Sequence, residues 1–536
     1  MSYDYIVVGA GSAGSALAAR LSESGRHSVL LLEAGGDDRR FWLQVPIGYG
    51  KSFYDPAVNW MYMAEGDAAT GGRRSYWPRG KVLGGSSSIN AMVYIRGQAE
   101  DYEDWAAAGN PGWGWDDVLP VYRRMESHAW GASEHHGGDG PLHVSCPEPD
   151  LHESCESFMA AGEALGVPRN RDFNGASQEG VGPYHLTIHQ GRRMSAARAW
   201  LWPARGRPNL RIQTGATVTR ILFEGRRAVG VEYRRGDRTE TARAAREVVL
   251  AGGAINSPQL LMLSGVGPAA ELAALGLTVV HDSPAVGRNL QDHYCVDFIY
   301  RSTRPTLNQQ LHPWYGKLWA GLKYVLARRG PLALSLNQAG GFIRTRPELS
   351  RPNIQLYFSP VSYRKAPPGT RPLMNPDPFP AFLTSISQCR PTSRGHLRLR
   401  SADPSEPPLI QPNYLATEHD LRENLEGVRF MRRLAAAPAM QALIAEEELP
   451  GPSVDGDEAL LAYVRETGVT VYHPCSTCRM GPDPARDVVD ATLRVHGLGG
   501  LRVADASIFP TIPSGNTNAP SMMVGERASD LILNDG

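Results

Sequence analysis

The chain has 536 residues, 42% hydrophobic and 21% charged, the composition of a folded globular protein long enough for two domains. Its 55 Lys and Arg balance 55 Asp and Glu, so no global field draws it to nucleic acid or anionic lipid, and no stretch of about 18 consecutive apolar residues offers a membrane span. Six cysteines make no disulfide framework, and the N-terminus shows no basic segment followed by an apolar stretch, so a reducing, cytoplasmic setting is expected, with peripheral membrane contact left open.

The first element is a short β-branched run, Tyr5-Ile6-Val7-Val8, which ends in glycines and is followed by helical spacing from Ser15 to Leu21. A second apolar run, Ser28 to Leu32, completes a strand, helix, strand unit and calls for a parallel sheet. Between them Gly9-Ala10-Gly11-Ser12-Ala13-Gly14 matches G-x-G-x-x-G. The first glycine permits a tight turn, the second lets backbone approach a pyrophosphate, and the third allows close helix packing. Glu33 stands about where a carboxylate accepts from the ribose of a dinucleotide.

From there to about Gly140 the chain is rich in Gly, Trp, Tyr and Pro, the texture of long loops against a ligand. Gly84-Gly85, followed by three serines, offers small side chains and backbone N–H groups to a phosphate or flavin edge. Near Asn209 short strands begin (Leu210 to Gln213, Val218 to Phe223, Ala228 to Tyr233), and Glu247 to Ala251 is a buried strand running into Gly252-Gly253 and a helix. Between residues 300 and 464, aromatic strands such as Ile354 to Phe358 and Phe382 to Gln388 alternate with helices such as Glu418 to Ala436, which reads as an antiparallel sheet covered by helices. Leu501 to Ala504 is again a short buried strand, and Pro520 to Leu533 a terminal helix.

The fold expected is α/β, α+β overall: a Rossmann-like domain with a parallel sheet, assembled from 1–155, 208–299 and 465–536, and a substrate domain from 156–207 and 300–464. Tyr472-His473-Pro474-Cys475-Ser476-Thr477-Cys478 holds a histidine whose ordinary pKa of about 6.5 suits a base near neutral pH. Its C-x-x-C pair lacks the further ligands of a tetrahedral zinc site, so no metal is expected. Asn516 lies in a turn before Pro520, where the positive end of the terminal helix points.

Several of these segments resemble the glucose-methanol-choline (GMC) oxidoreductases, in the family's order: Glu33-Ala34-Gly35-Gly36, Arg79 to Asn90, Gly253 to Leu261, Val286 to His293, and the stretch from Tyr472 onward. The likeness runs from end to end and is nearest to choline-dehydrogenase-type bacterial members. It implies a non-covalent FAD, because relatives that attach the flavin carry histidine where this chain has Ile89. It also implies flavin contacts from Gly9, Gly11, Ser12, Ala13, Gly14, Glu33 and Ala34, from Val82, Gly84, Gly85 and Ser86, from Asn90, Ala91, Met92 and Val93, from Val218 and Gly252, and from Asp505, Ala506, Asn516 and Thr517.

By the same resemblance His473 is the catalytic base and Asn516 its partner, holding the substrate oxygen as charge develops. Tyr472 and Gln338 are expected at the substrate, with Gln338 standing where choline-acting relatives carry a glutamate against the quaternary ammonium. A neutral amide there removes the main attraction for a cation, so a neutral primary alcohol is expected, oxidised to its aldehyde, with electrons passing to a quinone, another carrier or oxygen. Choline dehydrogenase, an oxygen-using alcohol oxidase and an FAD-containing lyase of the same family stay open. Ser476 departs from the glycine usual in the His-Pro motif, which puts the geometry of that loop in question.

Overall fold

The computed structural model describes residues 2–363 and 375–535. Its first sheet has seven strands in the order Leu210–Gln213, Val29–Leu32, Ser2–Val8, Arg238–Leu250, Arg227–Arg235, Thr217–Glu224, with Leu501–Val503 also paired to Arg238–Leu250. The pairings among Leu210–Gln213, Val29–Leu32, Ser2–Val8, the inner end of Arg238–Leu250 and Leu501–Val503 are parallel. Ile6, Val7, Leu30, Leu31, Val248 and Val249 are buried, as expected of strands covered on both faces. The helix Ser12–Leu21 supplies the crossover from Ser2–Val8 to Val29–Leu32.

Only the last residues of Arg238–Leu250 read as strand in the sequence, because its outer portion is polar and largely exposed. That portion pairs antiparallel with Arg227–Arg235 as a ribbon reaching away from the core.

The second sheet also has seven strands, all antiparallel: Ile444–Leu449, Tyr294–Ser302, Ala381–Gln388, Ile354–Ser359, Ala339–Ile343, Gly180–Pro183, with Val469–Thr470 paired to Tyr294–Ser302. The helix Glu418–Ala436 lies on one face, its Thr417 hydroxyl accepting from the Asp420 N–H as an N-cap. Val428, Met431 and Leu434 join Ile354, Leu356 and Ile386 in one buried cluster. Ala381–Gln388 is buried throughout, and Leu383 and Ser385 from it line the cavity described below.

Tyr294–Ser302 and Val469–Thr470 both belong to the second sheet, although the sequence division splits the first at 299 and assigns the second elsewhere. Both strands adjoin segments that return to the first sheet. The two segments that carry His293 and His473 meet beside these strands, through the Gln291–Cys475 bridge.

Candidate active site

A cavity of about 560 Å³ runs from the glycine loop at Gly9 and Gly11 to the wall formed by His473 and Asn516. The glycines shape its first end. A Cβ on Gly9, which holds φ +102°, would lie 2.5 Å from the Ala251 carbonyl oxygen, and one on Gly14 would lie 1.9 Å from Gly9 O. Gly11 is different: its Cβ would meet only Ala251 O, at 3.9 Å, so the space over it is open to a ligand. Gly85 packs its own backbone onto Gly11, where a Cβ would stand 2.7 Å from Gly11 Cα.

Glu33 accepts from Ala10 N at 2.9 Å and Gly35 N at 2.8 Å while lining the cavity, which leaves lone pairs on both oxygens for hydroxyl donors. Burial pushes its carboxyl up to about 7, against the pull of those two N–H groups. Across the cavity Ser12 donates to Asn518 Oδ1 at 2.9 Å, and the terminal helix Asn518–Asn534 approaches so closely that a Cβ on Gly525 would lie 2.2 Å from Ala13 O. Thr517, Asn518 and Ser521 bring the N-terminal end of that helix to the cavity, where its dipole favours negative charge. An adenosine-type ribose, a pyrophosphate and an electron-accepting ring all find matching groups along this wall.

At the other end His473 is held through backbone and ring alike. Its N–H donates to Asp292 Oδ1 at 2.8 Å, and Asp292 Oδ2 accepts from Thr470 and Tyr414 hydroxyls. The chain around Gln291 pairs with that around Cys475 (Gln291 N to Cys475 O 3.2 Å, Cys475 N to Gln291 O 3.0 Å), which brings His293 beside His473. The rings meet Nδ1 to Nδ1 at 3.0 Å, and His293 Nε2 lies 2.9 Å from the carbonyl oxygen of Cys389.

A carbonyl can only accept, so His293 carries its proton on Nε2 and presents an Nδ1 lone pair; His473 must then carry its proton on Nδ1, which leaves Nε2 free to accept. Asn516 Nδ2 stands 3.1 Å from that nitrogen, and its Oδ1 accepts from Gln355 Nε2 at 3.2 Å, which fixes which end of the amide faces the imidazole. Burial, then His293 and the Arg79 guanidinium, hold the His473 pKa well below its ordinary value, while burial brings His293 to about 4. Both imidazoles are neutral at pH 7.

Of the residues expected at a cofactor, Gly9, Gly11, Ser12, Ala13, Glu33, Ala34, Gly85, Ser86, Asn90 to Val93, Val218, Gly252, Asp505, Ala506, Asn516 and Thr517 line the cavity. Val82 and Gly84 do not. Val82 is buried with Leu43, Val58 and Ile89, and Gly84 serves the turn, with φ +86° and its N–H on Ala10 O at 2.7 Å. Gly14 also lies behind the wall, in its packing role. The Asp505 carboxylate is occupied by Gly253 N, Ser257 Oγ and Ser507 N, so it pins the Gly252-Gly253 turn.

Tyr472 lines the cavity, its ring edge-on to Phe53 at 5.3 Å. Gln338 does not. Its Oε1 accepts from His152 N at 2.8 Å on the far side of the chain, and Asn337 takes the place at the cavity, so the argument from a neutral amide at 338 falls. The wall residues that sequence reasoning missed are Cys295, Asp297 and Arg79, and behind the wall it missed His293, which contacts His473, and Gln355, which contacts Asn516. His293 lay inside a quoted motif without a role; Gln355 has no local signal.

Ser476 holds φ +74°, so the loop keeps a conformation natural to glycine despite the serine. Cys475 and Cys478 are buried free thiols, Cys475 pushed up to about 12 by burial. Elsewhere Glu126, His128 and His136 bring ligand atoms within 4.8 Å of one another. There the carboxylate is already matched by buried Arg96 and by His136, whose other nitrogen lies 2.8 Å from Asp172.

This fold and cavity define a dinucleotide-dependent oxidoreductase. Residues 3–295 and 391–525 match the two family models described as GMC oxidoreductase, and the chain belongs to that family. It is 44% identical to mitochondrial choline dehydrogenase of Mus musculus over 99% of this chain and 89% of that one, and 42% identical to an alcohol dehydrogenase (acceptor) of Pseudomonas putida over 99% and 96%. The structure superposes on pyridoxine 4-oxidase from Mesorbium loti with a TM-score of 0.89 at 32% identity, covering 99% of each chain. The chain is an FAD flavoprotein.

Proposed function

We propose that the protein oxidises a neutral primary alcohol to its aldehyde, with His473 accepting the hydroxyl proton. The observation that carries this reading is the unprotonated Nε2 of His473 at the cavity wall, its tautomer set by His293 and its neighbour Asn516 turned amide-first by Gln355. FAD, when bound, supplies the hydride acceptor. Asn516 donates a hydrogen bond to the substrate oxygen as charge grows on it, and His473 Nε2 takes the proton. Ile89, at the cavity, has no nucleophilic atom, which supports a dissociable flavin.

On this side of the cavity Phe53 packs against Tyr472 and Tyr357 bonds to Gln355, and the charged side chain that acts on His473 is the Arg79 guanidinium, a cation that disfavours an ammonium substrate. Asp297 is four residues beyond His293 on an extended strand, roughly 13 Å along it, too far to face an ammonium next to the reacting carbon. The acceptor in this reading is a quinone or other carrier, in keeping with the acceptor-type relative.

The test is an anaerobic absorbance titration of the flavin-loaded protein with primary alcohols and with choline. Bleaching by the neutral alcohols and not by choline is expected. Bleaching by choline would overturn the substrate class, and a flavin inert to every alcohol would overturn the oxidation itself in favour of a lyase.

A further inference from the structure

The helix Trp314–Ala327 is reversed relative to an ordinary surface helix. Its buried side chains are Ala320 and Tyr324, whereas Trp314, Tyr315, Leu318, Trp319, Val325 and Leu326 are exposed, Trp314 by 75% and Leu326 by 76%. Seven of the eleven large apolar side chains exposed among the described residues lie on this helix. Phe41 and Trp42 adjoin it through the Phe41–Tyr324 ring contact at 6.3 Å. Single exposed apolar residues need no partner, but a contiguous cluster marks an interaction surface.

At about 100° per residue the exposed apolar side chains fill an arc of about 140°, with Lys323 just beyond one edge and Lys317 beyond the other. Arg328 and Arg329 follow at the end of the helix, and no Asp or Glu occurs in the fifty residues from Phe298 to Pro347, which hold eight Lys and Arg. Arg301, Arg344 and Arg346 of these are matched by Glu448, Glu179 and Glu426, which leaves Lys317, Lys323, Arg328 and Arg329 as the cations on the helix and at its end. Tryptophan and tyrosine over a basic rim match the boundary between headgroups and acyl chains. Fourteen residues give about 21 Å, short of a bilayer core, and no helix among the described residues is long and apolar enough to cross one.

We propose that Trp314–Ala327 lies in the plane of an anionic membrane surface, with its tryptophans and leucines in the lipid and its lysines on the headgroups. A second copy is a poorer occupant, because a two-fold contact through this face would set the same cations against each other. Ala320 and Tyr324 share a buried cluster with Tyr49 and Tyr357 of the cavity wall, so the opposite, buried face of the helix packs beside the substrate cavity. The inference does not depend on which alcohol is oxidised.

The experiment is co-sedimentation of the full flavin-loaded chain with vesicles of phosphatidylcholine plus phosphatidylglycerol, and of phosphatidylcholine alone. The unmodified protein should pellet with the anionic vesicles and far less with the neutral ones. Trp314→Gln/Trp319→Gln/Leu326→Gln, with flavin absorbance and circular dichroism unchanged, should lose at least about tenfold in partitioning, and Lys317→Gln/Lys323→Gln should lose the preference for anionic lipid. Brominated lipid should quench tryptophan fluorescence in the unmodified protein, a readout that needs no variant to fold. Failure to pellet with either vesicle, unchanged pelleting of the triple variant, or a dimer in sedimentation velocity that the triple variant dissociates would each overturn the proposal.

Discussion

Nδ1 of His293 lies 3.0 Å from Nδ1 of His473, and this contact decides which nitrogen of the His473 imidazole is free. His293 is tied on its far side to a carbonyl, so the proton pattern runs one way only, from Cys389 O through two rings to His473 Nε2.

His293→Ala should therefore slow flavin reduction on the order of a hundredfold or more, since a base held in the wrong tautomer loses most of its function. Flavin content should be unchanged, because the ring is remote from the glycine loop. Stopped-flow reduction beside the absorbance of the bound flavin checks both, and an unaltered rate would show that the tautomer is set some other way.

The pH dependence follows from the sign of the shift on His473. Burial, His293 and Arg79 all disfavour its protonated form, so the neutral base persists below pH 6.5 and the acid limb of kcat/KM should fall below that value. Arg79→Gln removes one of the two positive or potentially positive neighbours, and the limb should move toward higher pH. A limb already above 7 in the unmodified protein would contradict the assignment.

Glu33 joins the first glycine loop to the turn after the second strand through Ala10 N and Gly35 N. In Glu33→Gln one of those two donors faces an amide NH2 instead of an oxygen. FAD affinity should drop about tenfold, the equivalent of about 1.4 kcal/mol for one lost acceptor. Equilibrium dialysis of the apoprotein against FAD measures it; equal affinity would remove Glu33 from the binding argument.

Ser476, buried at φ +74°, carries a Cβ in a region where glycine alone is unstrained. Ser476→Gly should raise stability by about 0.5 to 1 kcal/mol, after allowing for the extra freedom glycine has in the unfolded chain. The urea midpoint of the flavin-loaded protein is the readout, and a lower midpoint would show that the Ser476 hydroxyl outweighs the strain.

Strand, turn and helix at Tyr5 to Leu21, the helix Glu418–Ala436 and the glycine-rich cofactor loops could be read from residues alone, because periodicity and turn chemistry act over a few neighbours. The candidate base and its asparagine were legible too, through motifs with a known order. Gln338 and Asn337 show where that legibility ends. They are adjacent, and in an extended chain adjacent side chains face opposite ways, so register alone puts Asn337 at the cavity and Gln338 against His152.

The same holds for the contacts that make the site work. His293 and His473 are 180 residues apart, and Gln355 and Asn516 are 161 apart; their meeting depends on how distant segments pack together, which no local pattern encodes. The outward face of Trp314–Ala327 is of this kind as well. Its sequence shows an apolar stretch with helical spacing, and only the packing of Ala320 and Tyr324 decides that the large apolar side chains point away from the core. Local sequence determines which elements form and which chemistry they carry; tertiary packing determines which face each element presents, because burial is a property of the whole assembly of elements.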